Sequence, residues 1–408
     1  MAEKLKTIVD RLLTGLLGDA EHAEHDRPAL MLDLLSDWLP YRVYDPASRL
    51  YFNARSKGFV LSVTPLIGAD ERTGEILGSF FSEGLPAGAC LQVLHLASPR
   101  ISRIVAPWFA PRYVQGGVYE AIARHRARRL YGLVWESGSQ DAPFHARHHQ
   151  VIVSVGVPAA KAVSNEDLKQ TRDGLIAMLK SLNLGVAEVE PQQLIAIIDD
   201  LTSPTTAPQD DAVPYNPNDA IAAQAIRHDI ELVIHEDRMR LVTERFRATG
   251  KIEDGVPEIG TVYPDAFDVR HFSSRNMPQR WAPWECARLI GDMFTDKLRF
   301  PCPAATMLCL VYPDQEAASA KAGFKFMRTT SLAGTRSARF LPRIGEQAAE
   351  WQHVQSELQE GRRLVRVFYG LTTYSPLGRG DRDEREEQPL ALHLHRLDRA
   401  APGRLRRH

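Results

Sequence analysis

The chain has 408 residues with 50 basic and 51 acidic side chains, a formal net charge of −1, and 44% hydrophobic against 25% charged residues. These are the proportions of a folded soluble protein, and the even charge balance argues against a chain built mainly to neutralise nucleic-acid phosphates. Cys90, Cys286, Cys302 and Cys309 are too few and too scattered for a disulfide framework or a cysteine-rich zinc site. They read as small hydrophobes in a reducing cytoplasm.

Leu5, Ile8, Val9, Leu12, Leu13, Leu16 and Leu17 recur at three- and four-residue spacing and predict an amphipathic N-terminal helix on a polar tether, residues 1–27. Asp10 and Arg11 interrupt its apolar residues, so it does not read as a signal peptide. The stripe needs cover from its own domain, a partner or a membrane surface. The longest apolar run, Cys302 to Tyr312, is shorter than the roughly 20 residues that cross a bilayer.

A first α+β half is expected over 28–202. A short helix covers Ala29 to Trp38, and strands follow at Gly58–Val63, Cys90–Leu96, Gly132–Trp135 and Val151–Val157. In the last of these Val151, Val153, Val155 and Val157 share one face. Ser164 and Asp167 have the spacing of a capping box and open a helix that Gly185 is expected to stop. A strand at Val186–Val189 and a helix at Gln192–Asp200 complete a βαβ unit or half of a ferredoxin-like layer.

Prolines, threonines and an acidic pair mark 203–225 as a linker or long loop. The second half, 226–378, is expected to contain paired strands at Glu231–His235 and Arg240–Thr243, and a further strand at Ala266–Phe272. A helix opened by Pro283, a buried strand at Ala305–Val311, helices at Gln315–Met327 and Ile344–Glu360, and a strand at Leu364–Tyr369 follow. The fold class is therefore α+β, mixed α/β, without a RecA-like motor. The charged tail, 379–408, lacks aromatic residues and reads as disordered or aberrant.

No residue set assembles a nucleophile, a base and an orienting group, so no catalytic, cofactor-binding or metal residue is assigned. The only Gly-Lys pair, Gly250-Lys251, is followed by Ile252, with Arg245 where a phosphate loop needs glycine. His145, His148 and His149 cluster at the mouth of a strand, and a metal-dependent hydrolase would require His145, His149 and His235 to converge. His235-Glu236-Asp237 reads as hairpin-turn chemistry. Asp199 and Asp200 are neighbours on a helix and do not read as a paired-carboxylate site. Arg124, Arg126, Arg128 and Arg129 raise a DNA-binding alternative, but on a helix they spread over more than one face and read as solvated surface.

The segment Leu39 to Phe52, then Gly58–Leu61 and Pro65–Ala69, resembles the opening of TraC-type proteins of F-like conjugation systems. Phe272, Pro278–Trp284, Leu289–Gly291, Pro301–Pro303, Asp314-Gln315 and the Trp351 helix with Gly361 continue the resemblance in order. It implies the non-catalytic N-terminal region of a cytoplasmic type IV secretion ATPase that powers pilus assembly and DNA transfer. On this resemblance the region docks to inner-membrane channel components, is peripheral to the membrane through those partners, and forms homo-oligomeric rings without specific nucleic-acid binding. The family's ATP and magnesium belong to a C-terminal RecA-like motor. The chain ends before that motor is expected, as a truncated, frameshifted or separately encoded front half would.

Overall fold

The computed structural model describes residues 34–204, 214–243, 266–274 and 300–377, apart from short gaps within these ranges, together with a strand at 397–399. The predicted N-terminal stripe, Gly250-Lys251, Cys286 and the helix opened by Pro283 lie outside the described residues.

Chain reversal begins locally. Strands β1 (Tyr41–Asp45) and β2 (Leu50–Asn53) pair antiparallel. In the turn between them Asp45 accepts from the backbone N–H groups of Ala47 and Ser48 at 3.1 and 3.2 Å. That is the turn chemistry for which aspartate is suited. After β3 (Ser56–Val63), helix α1 (Glu71–Glu83) is capped by Asp70, which accepts from Thr73 N at 2.8 Å.

Strand β4 (Cys90–Ser98) leads into a helical hairpin, α2 (Ser102–Gln115) and α3 (Gly117–Gly132), before β5 (His148–Pro158). The expected strand at Gly132–Trp135 is instead the exit from α3. Val134 N and Trp135 N donate to the carbonyls of Tyr131 and Gly132 at 3.2 Å, which closes turns. Its apolar residues had the composition of a strand but serve a corner, where Val134 is fully buried.

Helix α4 (Asn165–Ser181) carries the full capping box. Asp167 N donates to Ser164 Oγ at 3.0 Å, and Ser164 N donates to Asp167 Oδ2 at 3.1 Å. It stops before Gly185, because Asn183 takes the left-handed conformation (φ 58°) that ends helices. Strand β6 (Val186–Glu188) returns to β3, on the side of β3 away from β5. The expected βαβ unit is thus split, with β3 between its strands.

Helix α5 (Pro191–Thr202) follows, and within the segment expected as linker α6 (Ile221–Ala225) buries Ile221, Ala222 and Ala225. The second half supplies β7 (Ile230–Ile234), β8 (Met239–Thr243), β9 (Ala266–Ser274) and β10 (Ala304–Val311). A second helical hairpin, α7 (Gln315–Ala333) and α8 (Pro342–Gln359), precedes β11 (Arg366–Pro376). In the tail, β12 (Leu397–Arg399) adds three residues beside β9.

The strands form one sheet in the order β1-β2-β3-β5-β4-β10-β11-β9-β8-β7. Read from either edge inward, the order is the same: a hairpin, a third strand, then the fifth strand before the fourth. The two halves meet where β4 pairs with β10, Cys90 opposite Val311 and Ala97 opposite Ala304. Because that pair is antiparallel, the hairpin after β4 and the hairpin after β10 leave opposite ends of the sheet. Every ladder among the described residues is antiparallel, whereas doubly wound nucleotide-binding sheets are mostly parallel.

Both faces of the first half are covered. Phe59, Leu61, Val153, Val155 and Val157 pack with Leu168, Leu175 and Leu179 of α4. On the other face Ile152 packs with Leu194, Ile195 and Ile198 of α5 and Ile221 of α6. The alternation of β5 thus feeds two cores at once.

Candidate docking surfaces and the networks that root them

The first hairpin is fixed at its root by charge. Arg100 lies between β4 and α2, and its guanidinium is almost wholly buried. Its Nη1 donates to Asp199 Oδ2 at 2.8 Å, and its Nη2 donates to the carbonyls of Asp199 and Ser203 at 3.2 and 2.6 Å. Its Nε lies 3.4 Å from Asp200 Oδ1. Asp200 also accepts from Ser98 Oγ at 2.7 Å and Gln150 Nε2 at 3.1 Å. Asp199 and Asp200 therefore share one cation, a pairing through Arg100 that the sequence reading did not foresee. Adjacent helix positions diverge at Cβ, but a long guanidinium reaches both. Burial pushes the Asp200 carboxyl above the usual range while Arg100 opposes the shift.

The other leg of the root is held by Arg147, which donates to the carbonyls of Val134 and Ala146 and lies 6.0 Å from the Trp135 ring centroid. Beyond this root the hairpin is exposed. Val114, Val118 and Tyr119 at its tip are 84%, 72% and 64% accessible. Of the four arginines singled out in the sequence, Arg124 bonds Glu120 at 2.8 Å, while Arg126, Arg128 and Arg129 are exposed on α3.

The second hairpin is rooted by an amide. Gln315 Nε2 donates to Leu364 O and its Oε1 accepts from Leu364 N, both at 2.9 Å, which ties the start of α7 to the approach to β11. Asp314 caps α7 by accepting from Glu316 N and Ala317 N. Lys325 Nζ lies 4.8 Å above the Trp351 ring and joins α7 to α8. Ala322 is the buried residue of α7, whereas Phe324 and Met327 are 54% and 64% accessible. Between this hairpin and the sheet end lies a largely apolar groove of about 830 Å³ that includes Tyr312, Lys321, Trp351, Val354 and Arg366.

The histidines do not converge. His149 on β5 meets His95 of β4, with Nδ1 and Nε2 3.0 Å apart and rings stacked at 5.2 Å. His95 was missed because only the β4–β5 register reveals it. His235 closes the β7–β8 turn, its N–H donating to Arg238 O at 2.9 Å, in agreement with turn chemistry. Strand β7 is six ladder steps from β5, about 29 Å at ordinary strand spacing. His148 Nδ1 is buried with no hydrogen-bond partner among the described residues. Burial and Arg103 lower its pKa. Among the described residues no group of three or more His, Cys, Asp or Glu side chains could hold a metal ion.

Cys302 and Cys309 are buried as expected, and the fold brings two of the scattered cysteines together: Cys90 Sγ is 3.2 Å from Cys309 Sγ across the β4–β10 junction.

The family profile described as TraC protein matches residues 35–390, which is most of the chain. The chain belongs to the TraC family. Protein TraC of Escherichia coli (strain K12) is 22% identical over 386 residues, covering 91% of this chain and 42% of that relative. The chain thus spans about two fifths of the curated relative it matches.

The TraC match reaches into the charged tail. It also explains the sequence blocks: Leu39–Phe52 builds the β1–β2 hairpin, Asp314-Gln315 roots the second helical hairpin, and Gly361 takes a positive φ (85°) in the turn after α8. These are packing and turn signals, which is why none of them resembles a catalytic signature.

Proposed function

We propose that the chain is a non-catalytic interaction and assembly region of a conjugative type IV secretion ATPase, docking to inner-membrane channel components. TraC family membership supports the secretion and conjugation setting. One observation supports the docking role above others: a sheet whose first half is covered on both faces holds two helical hairpins, one by a buried root and one by a half-buried root, and leaves apolar side chains exposed on both. Rigid presentation of exposed apolar anchors lowers the ordering cost of binding.

On this reading the protein sits at the cytoplasmic face of the inner membrane and assembles as the ring-forming family does. ATP and magnesium are then handled by the motor half of such proteins and not by these residues. No helix among the described residues is long and apolar enough to cross a membrane; on this reading attachment is peripheral, through those channel components. Isothermal titration of the chain with ATP and magnesium tests the non-catalytic part. Heats no larger than dilution are expected, and tight saturable binding would overturn it.

A further inference from the structure

Residues 102–132 contain six arginines and one glutamate, a net of +5 in a chain whose total is −1. The hairpin they form is charged along its length and apolar at its tip. Tyr113, Val114, Val118, Tyr119 and Ile122 are 41–84% accessible there. The reversal itself passes through Gly116 and Gly117, at φ 68° and 58°. These values are readily adopted by glycine, and they turn the chain without adding a polar side chain to the cap.

Behind the cap the aromatic and cationic groups interleave. Arg112 lies 4.7 Å from the Trp108 ring centroid and donates to Trp108 O at 2.7 Å. Arg124 lies 4.9 Å from the Tyr113 ring centroid. Arg126, Arg128 and Arg129 follow as an exposed collar nearer the root. An apolar cap, backed by rings interleaved with guanidiniums and then by an arginine collar, suits a bilayer interface, where apolar groups reach the acyl boundary and rings and cations sit at the level of the headgroups and phosphates.

We infer that the α2–α3 hairpin docks directly on an anionic lipid surface, with Val114, Val118 and Tyr119 entering the interface and the arginines engaging lipid phosphates. Charge complementarity selects this occupant. Duplex DNA would satisfy the arginines through its phosphates but would leave the apolar cap facing water. The inference deepens the assembly reading above and rests on it only for its cellular setting.

The test is co-sedimentation of the full chain with vesicles of phosphatidylcholine alone or mixed with about one-third phosphatidylglycerol. The protein is expected to pellet with the anionic vesicles and to stay in solution with the neutral ones. The V114D/V118D double variant is expected to lose about ten-fold in partitioning, since charge at the cap opposes insertion. The R126A/R128A/R129A variant should also lose about ten-fold, together with most of the salt dependence. All these side chains are exposed, so circular dichroism should be unchanged. Tyr119→Phe against Tyr119→Asp gives a second pair, of which the first should bind and the second fail.

Equal binding to neutral vesicles, no vesicle binding by the wild type, or full binding by V114D/V118D overturns the inference. Salt-sensitive binding to duplex DNA without vesicle binding overturns it too and assigns the arginines to nucleic acid. A chain that ignores vesicles but still contacts channel components through the second hairpin leaves the assembly reading intact. The reverse result removes that reading and leaves this one.

Discussion

Arg100 Nη1 donates to Asp199 Oδ2 at 2.8 Å, with both side chains no more than 3% accessible. This bond joins the root of the first helical hairpin to α5, the helix that covers one face of the sheet. It therefore connects the core to the surface proposed for docking. A buried pair of this kind adds less to stability than its geometry suggests, but breaking it leaves a charge without compensation.

Arg100→Ala is accordingly expected to lower the unfolding free energy by about 3–5 kcal/mol, because Asp199 and Asp200 would remain buried without their cation. Urea titration reads this as a lower midpoint at unchanged slope. Limited proteolysis should also cut between β4 and α2 sooner. A midpoint within error of the wild type would show that the network does not hold the root.

Gly58 and Gly156 face each other across β3 and β5, yet they should respond differently to a methyl group. A Cβ on Gly58 would stand 2.0 Å from Val155 O, a backbone atom, whereas a Cβ on Gly156 would meet nothing closer than 3.9 Å. Gly58→Ala should cost about 3 kcal/mol, at the upper end of overpacking. Gly156→Ala should stay within about 0.5 kcal/mol. Parallel urea titrations of the two variants decide it.

The His95–His149 pair predicts a pH dependence with a fixed sign. Burial, His95 and nearby cations lower the His149 pKa to about 4, against about 6.5 in an unfolded chain. Between these values the unfolded state binds more protons, so stability rises with pH across the window. The contribution is complete above about 6.5 and is lost as pH falls toward the folded value. His149→Gln should flatten the slope between pH 4 and pH 6.5, which denaturation at a series of pH values would show.

On the second hairpin, Phe324 and Met327 are exposed while Ala322 is 3% accessible. Phe324→Glu and Met327→Glu should change stability by no more than about 0.5 kcal/mol. Ala322→Glu should cost several-fold more, since it buries a charge in the lining of the apolar groove. Thermal melts of the three variants check the ranking.

Much of the fold was legible where its cause is local. The alternating valines of β5, the Ser164–Asp167 capping box and the polar turn at His235 all appear as read from the sequence. What was not legible depends on partners far along the chain. The meeting of β4 with β10 sets Ala97 opposite Ala304, and no local pattern specifies that pairing. The same distance hid His95 from His149 and Cys90 from Cys309. Helix α2 was obscured by Pro107 and Pro111, which remove two helical donors. The shared cation of Asp199 and Asp200 was hidden too, because their Cβ directions diverge on the helix while the reach of Arg100 decides their environment.

The most direct test of the assembly reading places a photo-crosslinking residue at Phe324, with a control at Glu166 on the exposed side of α4, in cells carrying the conjugative transfer apparatus. Adducts from position 324 to an inner-membrane channel component, and none from position 166, are the predicted result. Absence of adducts from position 324, or equal adducts from both positions, would contradict it.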